Sequence, residues 1–343
     1  MKFFTTALVL FLAFPALSQE KKIVPPDFPT HRFEEFAEGV HFITGTGTVF
    51  VQSNAMMIEG DRDVLVIDSH VTPAAAEALL KAVRSITDKP VRYLANSHYH
   101  FDHAHGNQAF PEGVDIIGHE YTREKLLGDV LSENTFLSFT QGIPEDLKKL
   151  KAQLDATSGS RKDTLQRRYD VQAAHLKSLK DTIPTPPNVT FDSKMSMHYG
   201  GREIQFLFLG RGHTGGDVVV YLPKEGFVFT GDLMLPFLSY MGDGFVDEWP
   251  ATLERLKALD INTIFPGHGG PIKGKQAITN FQGYLTDLWT RTVEAKKSGL
   301  SAMEAAEKID MTDHKANFRQ IQKPGVDPRA VIRIYNRIDS GQK

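Results

Sequence analysis

Six consecutive residues, His98-Tyr99-His100-Phe101-Asp102-His103, place three imidazoles and a carboxylate directly after the apolar run Val91–Ala95. Burying that many polar groups unpaired in a core costs several kcal/mol, so they belong at a strand end, converging on something. Neutral imidazole and carboxylate are good ligands for a borderline cation such as Zn²⁺. Three further residues repeat the placement. His213 follows Ile204–Leu209, Asp232 follows Phe227–Phe229, and His268 follows Ile261–Phe265, while Asp68 ends Val64–Ile67. Glycines flank them (Gly210, Gly212, Gly231, Gly267), which lets backbone approach a crowded centre. Strand ends meet at one edge in a layered α/β fold, so this pattern restricts the architecture as well as the chemistry.

The rest of the chain agrees with that class. Short β-like runs at Val40–Ile43, Val49–Val51, Ala55–Ile58 and Val64–Ile67 are punctuated by Gly39, Gly45, Gly47 and Gly60. Thr72 is a good N-cap and Pro73 opens a helix to about residue 86. Further strands are expected at Val114–Ile117 and Val218–Leu222. Residues 119–182 break the alternation. Leucines at 147, 150 and 154, then Leu165, Leu176 and Leu179, predict a helical hairpin turning at Thr157–Ser160. Residues 273–343 read as an amphipathic helical extension.

A chain of 343 residues with 41% hydrophobic content holds ample core material, and a net charge of −3 leaves no basic footprint for nucleic acid. There is no Cys, which removes disulfides, thiol nucleophiles and thiolate-ligated metals. Lys2, the apolar run Phe3–Leu17 and the small residues of Ala16-Leu17-Ser18 have the order of a secretory signal. The expected division is a signal peptide at 1–18, a linker at 19–32, a catalytic domain at 33–272 and the extension at 273–343, with the mature protein in a periplasm or secreted. No membrane span is expected after cleavage, and the residues leave the oligomeric state open.

Asp68, His98-x-His100-x-Asp102-His103, His213, Asp232 and His268, in that order, resemble the landmarks of the metallo-β-lactamase-fold hydrolases. The resemblance covers roughly residues 35 to 272. It implies a four-layer αβ/βα sandwich carrying a helical hairpin insertion and two zinc ions per chain. By that resemblance His98, His100 and His213 hold the first ion, Asp102, His103 and His268 the second, Asp232 bridges them, and Asp68 orients the ligands. The absent cysteine departs from the best-known β-lactamase class. Phe229-Thr230-Gly231-Asp232 is similar to glyoxalase II and lactonases, and His100 stands where flavodiiron proteins carry Glu.

The chemistry that follows is hydrolysis of a small molecule. Two cations about 3.5–4 Å apart lower the pKa of water towards about 7, and a bridging hydroxide attacks an ester, thioester, lactone or β-lactam carbonyl. Asp102 is the candidate catalytic residue, accepting the proton. Two other readings remain open: a mononuclear iron dioxygenase on the same fold, and a non-enzymatic metal- or partner-binding protein. Apolar residues at 131–143 and 233–249, including Phe136, Phe139, Leu235, Phe237, Leu238, Tyr240 and Trp249, either wall a substrate pocket or simply pack. His105 and Tyr240 are candidate substrate contacts.

Overall fold

The computed structural model describes residues 30–341. The expected signal peptide and nearly all of the linker lie outside the described residues. The first sheet opens with β1 (His31–Ala37), β2 (Val40–Gly45), β3 (Ala55–Glu59) and β4 (Val64–Ile67), antiparallel neighbours in chain order. Strand β1 therefore takes in residues 31–32, which the sequence reading assigns to the linker. After α1 (Pro73–Arg84) come β5 (Val91–Ala95), β6 (Asp115–His119) and β7 (Val189–Phe191), each parallel to its predecessor in this seven-stranded sheet. Helix α2 (Phe101–Ala104) is a single turn following β5.

The second sheet has six strands: β8 (Lys194–Tyr199), β9 (Arg202–Phe208), β10 (Val218–Leu222), β11 (Phe227–Gly231), β12 (Thr263–Pro266) and β13 (Ile272–Lys273). Helix α7 (Trp249–Ala258) crosses over between parallel β11 and β12. The insertion forms α3 (Glu120–Leu127), α4 (Asn134–Thr140) and the expected hairpin of α5 (Ile143–Asp155) with α6 (Ser160–Lys180). The extension forms α8 (Gln276–Lys297), α9 (Ala302–Lys308) and α10 (Pro328–Asp339). Among the described residues no helix is long and apolar enough to cross a membrane.

Side-chain alternation produces the layers. In β4, Leu65 and Ile67 join Phe42, Phe206, Val218, Phe229 and Phe265 between the sheets, while Val64 and Val66 pack outward on Leu79 and Val83 of α1. All four β4 side chains are fully buried, each stabilising by roughly 1.5–3 kcal/mol. Beyond the second sheet, Val219 and Val228 meet Trp249, Leu253, Phe281, Leu285 and Val331 from α7, α8 and α10. The order is helix, sheet, sheet, helix, as the resemblance implies.

Two strand expectations need correction. Residues 49–51 form no strand, because β2 and β3 pair directly (Ile43 opposite Ala55), leaving 46–54 as their connection. Val51 instead packs with Val71, Ala75 and Phe101. The sequence reading also omits β1, β7, β8 and β13, which are edge strands, short, or without an apolar run.

Candidate metal centre

Strands β4 and β5 run parallel, as do β11 and β12, so their C-terminal ends emerge together at one edge of the sandwich. Asp68 leaves β4, His98 to His103 leave β5, Asp232 leaves β11 and His268 leaves β12. His213 arrives on the loop after β9. His100 occupies the N-cap position of α2 with extended backbone (ψ 148°), so His98 and His100 precede the turn while Asp102 and His103 ride on it. At Gly267 a Cβ would stand 2.4 Å from Asp232 Oδ1 and 2.7 Å from His103 Cε1, so only glycine lets β12 come this close.

All seven residues expected to bind metal converge. Ligand atoms of His98, His100 and His213 lie within 4.8 Å of one another, and so do those of Asp102, His103 and His268. His213 Nε2 is 2.9 Å from His100 Nδ1. His268 Nε2 is 3.1 Å from Asp102 Oδ2 and 3.4 Å from His103 Nε2. Asp232 touches both groups, with one oxygen 3.7 Å from His213 Nε2 and 3.3 Å from His268 Nε2 and the other 3.4 Å from His103 Nε2.

Partners behind four of the five rings fix which nitrogen faces inward. His103 Nδ1 donates to Asp68 Oδ2 at 2.7 Å, and His268 Nδ1 donates to the Gln52 carbonyl at 3.1 Å. His98 Nδ1 meets Ser97 Oγ at 3.0 Å, and that hydroxyl donates to Asp68 Oδ2 at 2.7 Å. Asp68 thus steadies one ring from each group. His100 Nε2 donates to Asp243 Oδ2 at 3.0 Å, and Thr135 donates to the same oxygen. Asp243 and Thr135 escaped the sequence reading, because a lone Asp and a lone Thr in loops carry no pattern.

The donor set fits a cation. His98 Nε2 and Asp232 Oδ1 are buried and have no hydrogen-bond partner. With both Nδ1 atoms committed as donors, the Nε2 lone pairs of His103 and His268 face each other and two carboxylates. Such an arrangement repels unless positive charge lies between them. Without a cation, protons on these two rings supply that charge. Burial opposes ionisation of Asp102, yet His103 and His268 outweigh it and hold the carboxyl down at about 2. Burial likewise opposes the charge on His268, but Asp232 and Asp102 raise it to about 10. In the other group burial dominates, lowering His98 well below the usual imidazole range and His213 to about 3, so these rings are neutral donors. Every donor is nitrogen or oxygen, suited to Zn²⁺ and allied divalent ions.

Gln52, Asp68 and His70 all adopt the left-handed region (φ 63°, 63° and 67°), at about 1–2 kcal/mol each. Three non-glycine residues in that conformation beside one centre mark a backbone constrained by its contacts. His70 itself stacks on His31, 3.1 Å away between Nε2 atoms, and touches no member of the cluster through its ring nitrogens other than by way of Ser53.

A cleft of about 220 Å³ opens onto Asp102, Asp232 and His268, walled by Phe101, Phe139, Leu235, Phe237, Leu238 and Tyr240. The apolar segments therefore divide. These residues face the cleft, whereas Trp249, Met241 and Phe245 are core, and Phe136 packs on Phe101 and His105. His105, a candidate substrate contact, is fully buried behind Phe101 and does not line the cleft. A larger cleft of about 810 Å³ lies between residues 44–54 and α6, and of the cluster it reaches only the neighbouring Gln52.

Comparison with known proteins agrees with this geometry. The model of the Metallo-beta-lactamase superfamily matches residues 48–268. A linear primary-alkylsulfatase of Pseudomonas sp. (strain ATCC 19151) is 23% identical over 306 residues, covering 81% of this chain and 54% of the sulfatase. The chain thus spans about half the length of that relative. The structure of the stereoselective inverting sec-alkylsulfatase Pisa1 from Pseudomonas sp. superposes with TM-score 0.63 at 17% identity, over 91% of this chain and 50% of that one. A metallo-beta-lactamase from Pontibacter korlensis gives TM-score 0.53 at 19% identity, over 75% and 99% respectively. Fold, strand-end cluster and sequence match together place this chain in the metallo-beta-lactamase superfamily.

Proposed function

We propose that the chain is an exported, dinuclear zinc-dependent hydrolase of a small-molecule substrate. The observation that carries this reading is the convergence of five imidazoles and two carboxylates, with four of the imidazoles held by a partner at the outer nitrogen. His98, His100 and His213 would hold one ion, Asp102, His103 and His268 the other, with Asp232 between them. When bound, such ions supply Lewis acidity and lower the pKa of water.

The chain's own residues do the rest. Asp102, which lines the cleft beside His268 and Asp232, is placed to accept a proton from water. Asp68, Asp243 and the Gln52 carbonyl hold the rings so that no reorientation accompanies reaction. Phe101, Phe139, Leu235 and Phe237 exclude water around the bond to be broken and favour an apolar substrate. Tyr240 keeps its proton, since burial raises its pKa, and its hydroxyl points to Thr135 at 3.0 Å.

An ester, thioester, lactone or β-lactam carbonyl suits this cleft. A sulfate monoester is the second reading, favoured because the alkylsulfatase likenesses extend over 81% and 91% of the chain, beyond the superfamily core. Metal analysis of the purified protein should give two zinc per chain. A panel of nitrocefin, an acyl lactone, a thioester and an alkyl sulfate should then identify a cleaved bond. One iron per chain would point to dioxygenase chemistry, and zinc without turnover on any substrate to a binding protein. Export predicts a mature N-terminus near Gln19, read by N-terminal sequencing of the periplasmic or secreted protein.

A further inference from the structure

Two clefts share a wall. Behind Leu238 and Tyr240, which line the metal cleft, a second cleft of about 530 Å³ lies against the C-terminal extension. Edges of the core residues Met241, Tyr284, Met311, Ile321 and Ala330 form the apolar part of its lining, and Ser239, Gln320 and Gln322 stand among them. Two cations stand beside this surface, Lys323 and Arg329, against one carboxylate, Asp327. That local positive balance belongs to a chain whose net charge is −3, so it does not follow from overall basicity.

Arg329 occupies the first turn of α10, and its guanidinium lies 4.8 Å from the ring centre of Tyr240 and 5.3 Å from that of Phe139. Both rings line the metal cleft, and Arg329 itself lines the second, so it joins the two walls through these rings. Asp327 engages only Nε and Nη2 of Arg329, at 3.0 and 2.7 Å. Nη1 has no hydrogen-bond partner, and Lys323 no ion pair, among the described residues. The extension thus brings an apolar surface and two available cationic donors to the rim of the reaction site, and both lie beyond the superfamily match at residue 268.

We propose that the second cleft is the subsite for the non-reacting part of the substrate, an elongated apolar chain ending in a carboxylate or sulfonate. This rests on the hydrolase reading for the position of the reactive bond, but not for the binding itself. The apolar chain passes Leu238 and Tyr240 and lies against Met311 and Ile321. Its anionic end meets Arg329 Nη1 and Lys323 Nζ, whose charges make up what desolvating the anion costs.

The test uses the full, metal-loaded protein and octane-1-sulfonate, a poor zinc ligand, with octanamide as the neutral counterpart. Calorimetric titration should show octane-1-sulfonate binding to the unsubstituted protein. It should bind at least about tenfold more weakly to Arg329→Gln and to Lys323→Gln, the size of one lost charge-assisted hydrogen bond. Octanamide should bind more weakly than the sulfonate and be indifferent to both substitutions. Absence of sulfonate binding, equal affinity for the two probes, or sulfonate affinity unchanged in both variants overturns the proposal. A parallel arm compares KM for 4-nitrophenyl octanoate and mono-4-nitrophenyl sebacate. Only the second should rise in Arg329→Gln, and an equal rise for both overturns the charge assignment. If neither ester is cleaved while the sulfonate binds as expected, the hydrolase reading fails and the subsite stands.

Discussion

At the scale of single residues, the centre works by committing the outer nitrogen of four of its five imidazoles to a partner. His100 depends on Asp243, a residue 143 positions away in sequence. Burial opposes charge on Asp243, but the hydrogen bond and charge of His100 and the Thr135 hydroxyl keep it ionised well below the usual carboxylate range. Asp243→Asn should retain the shape, weaken the hold on His100 and lower metal affinity by about tenfold or more, read by competition with a chromophoric chelator. Direct removal of a donor is harsher. His100→Ala or Asp102→Ala should abolish hydrolysis while the far-ultraviolet dichroism stays that of the parent. Unchanged turnover in either variant would defeat the assignment of this centre as the reaction site.

Among elements, the β2–β3 connection ties the insertion to the centre. Its Phe50 ring packs tilted on that of His175 on α6, with centres 4.2 Å apart, and its far end carries Gln52, Ser53 and Asn54. Ser53 donates to the Asp102 carbonyl at 2.5 Å, and Asn54 donates to the carbonyls of Pro266 and Gly269 around His268. Burial lowers the His175 pKa from 6.5 to about 4, so the folded state favours its neutral form. Below pH 6.5 the unfolded segment binds more protons than the folded one, so this contact loses stability as the pH falls towards about 4. Amide hydrogen exchange in residues 45–51, corrected for intrinsic rates, should therefore speed up between pH 7 and pH 5. His175→Leu should remove that dependence. The helical hairpin was legible in its leucine spacing, whereas its contact with this connection was not. A single Phe–His ring contact between segments over a hundred residues apart leaves no periodic trace.

Over the whole molecule, the metal centre and the extension each join parts that local structure leaves separate. The candidate ligands come from both sheets, so a metal held by them would be coupled to the association of the sheets. At a thousandfold excess over Kd, bound metal contributes about 4 kcal/mol, and chelation should lower Tm by on the order of 10 °C. The extension covers the outer face of the second sheet with Ile278, Phe281, Leu285, Leu288, Val331 and Ile334. Losing these contacts removes on the order of 10 kcal/mol of burial, comparable to the whole stability of a typical domain. A chain truncated after residue 272 should be insoluble on expression, checked by the fraction recovered in the supernatant.

By itself the sequence marked the seven candidate donors, their positions just past strands, and the α/β layering. Those features are written in short-range terms: ligand-rich residues within one loop, glycines beside them, and apolar periodicity along strands. Tertiary structure decided which nitrogen of four rings faces the centre: Asp68 reaches His103 once β4 and β5 pair, and Asp243 and the Gln52 carbonyl reach His100 and His268 only when the two sheets close. It also decided which apolar residues face a substrate and which fill the core. Phe139, Tyr240 and Arg329 come from three distant segments, and no local pattern distinguishes a side chain that meets a cleft from one that meets a neighbour. Donor chemistry is a property of residues, whereas direction and neighbourhood are properties of the closed fold.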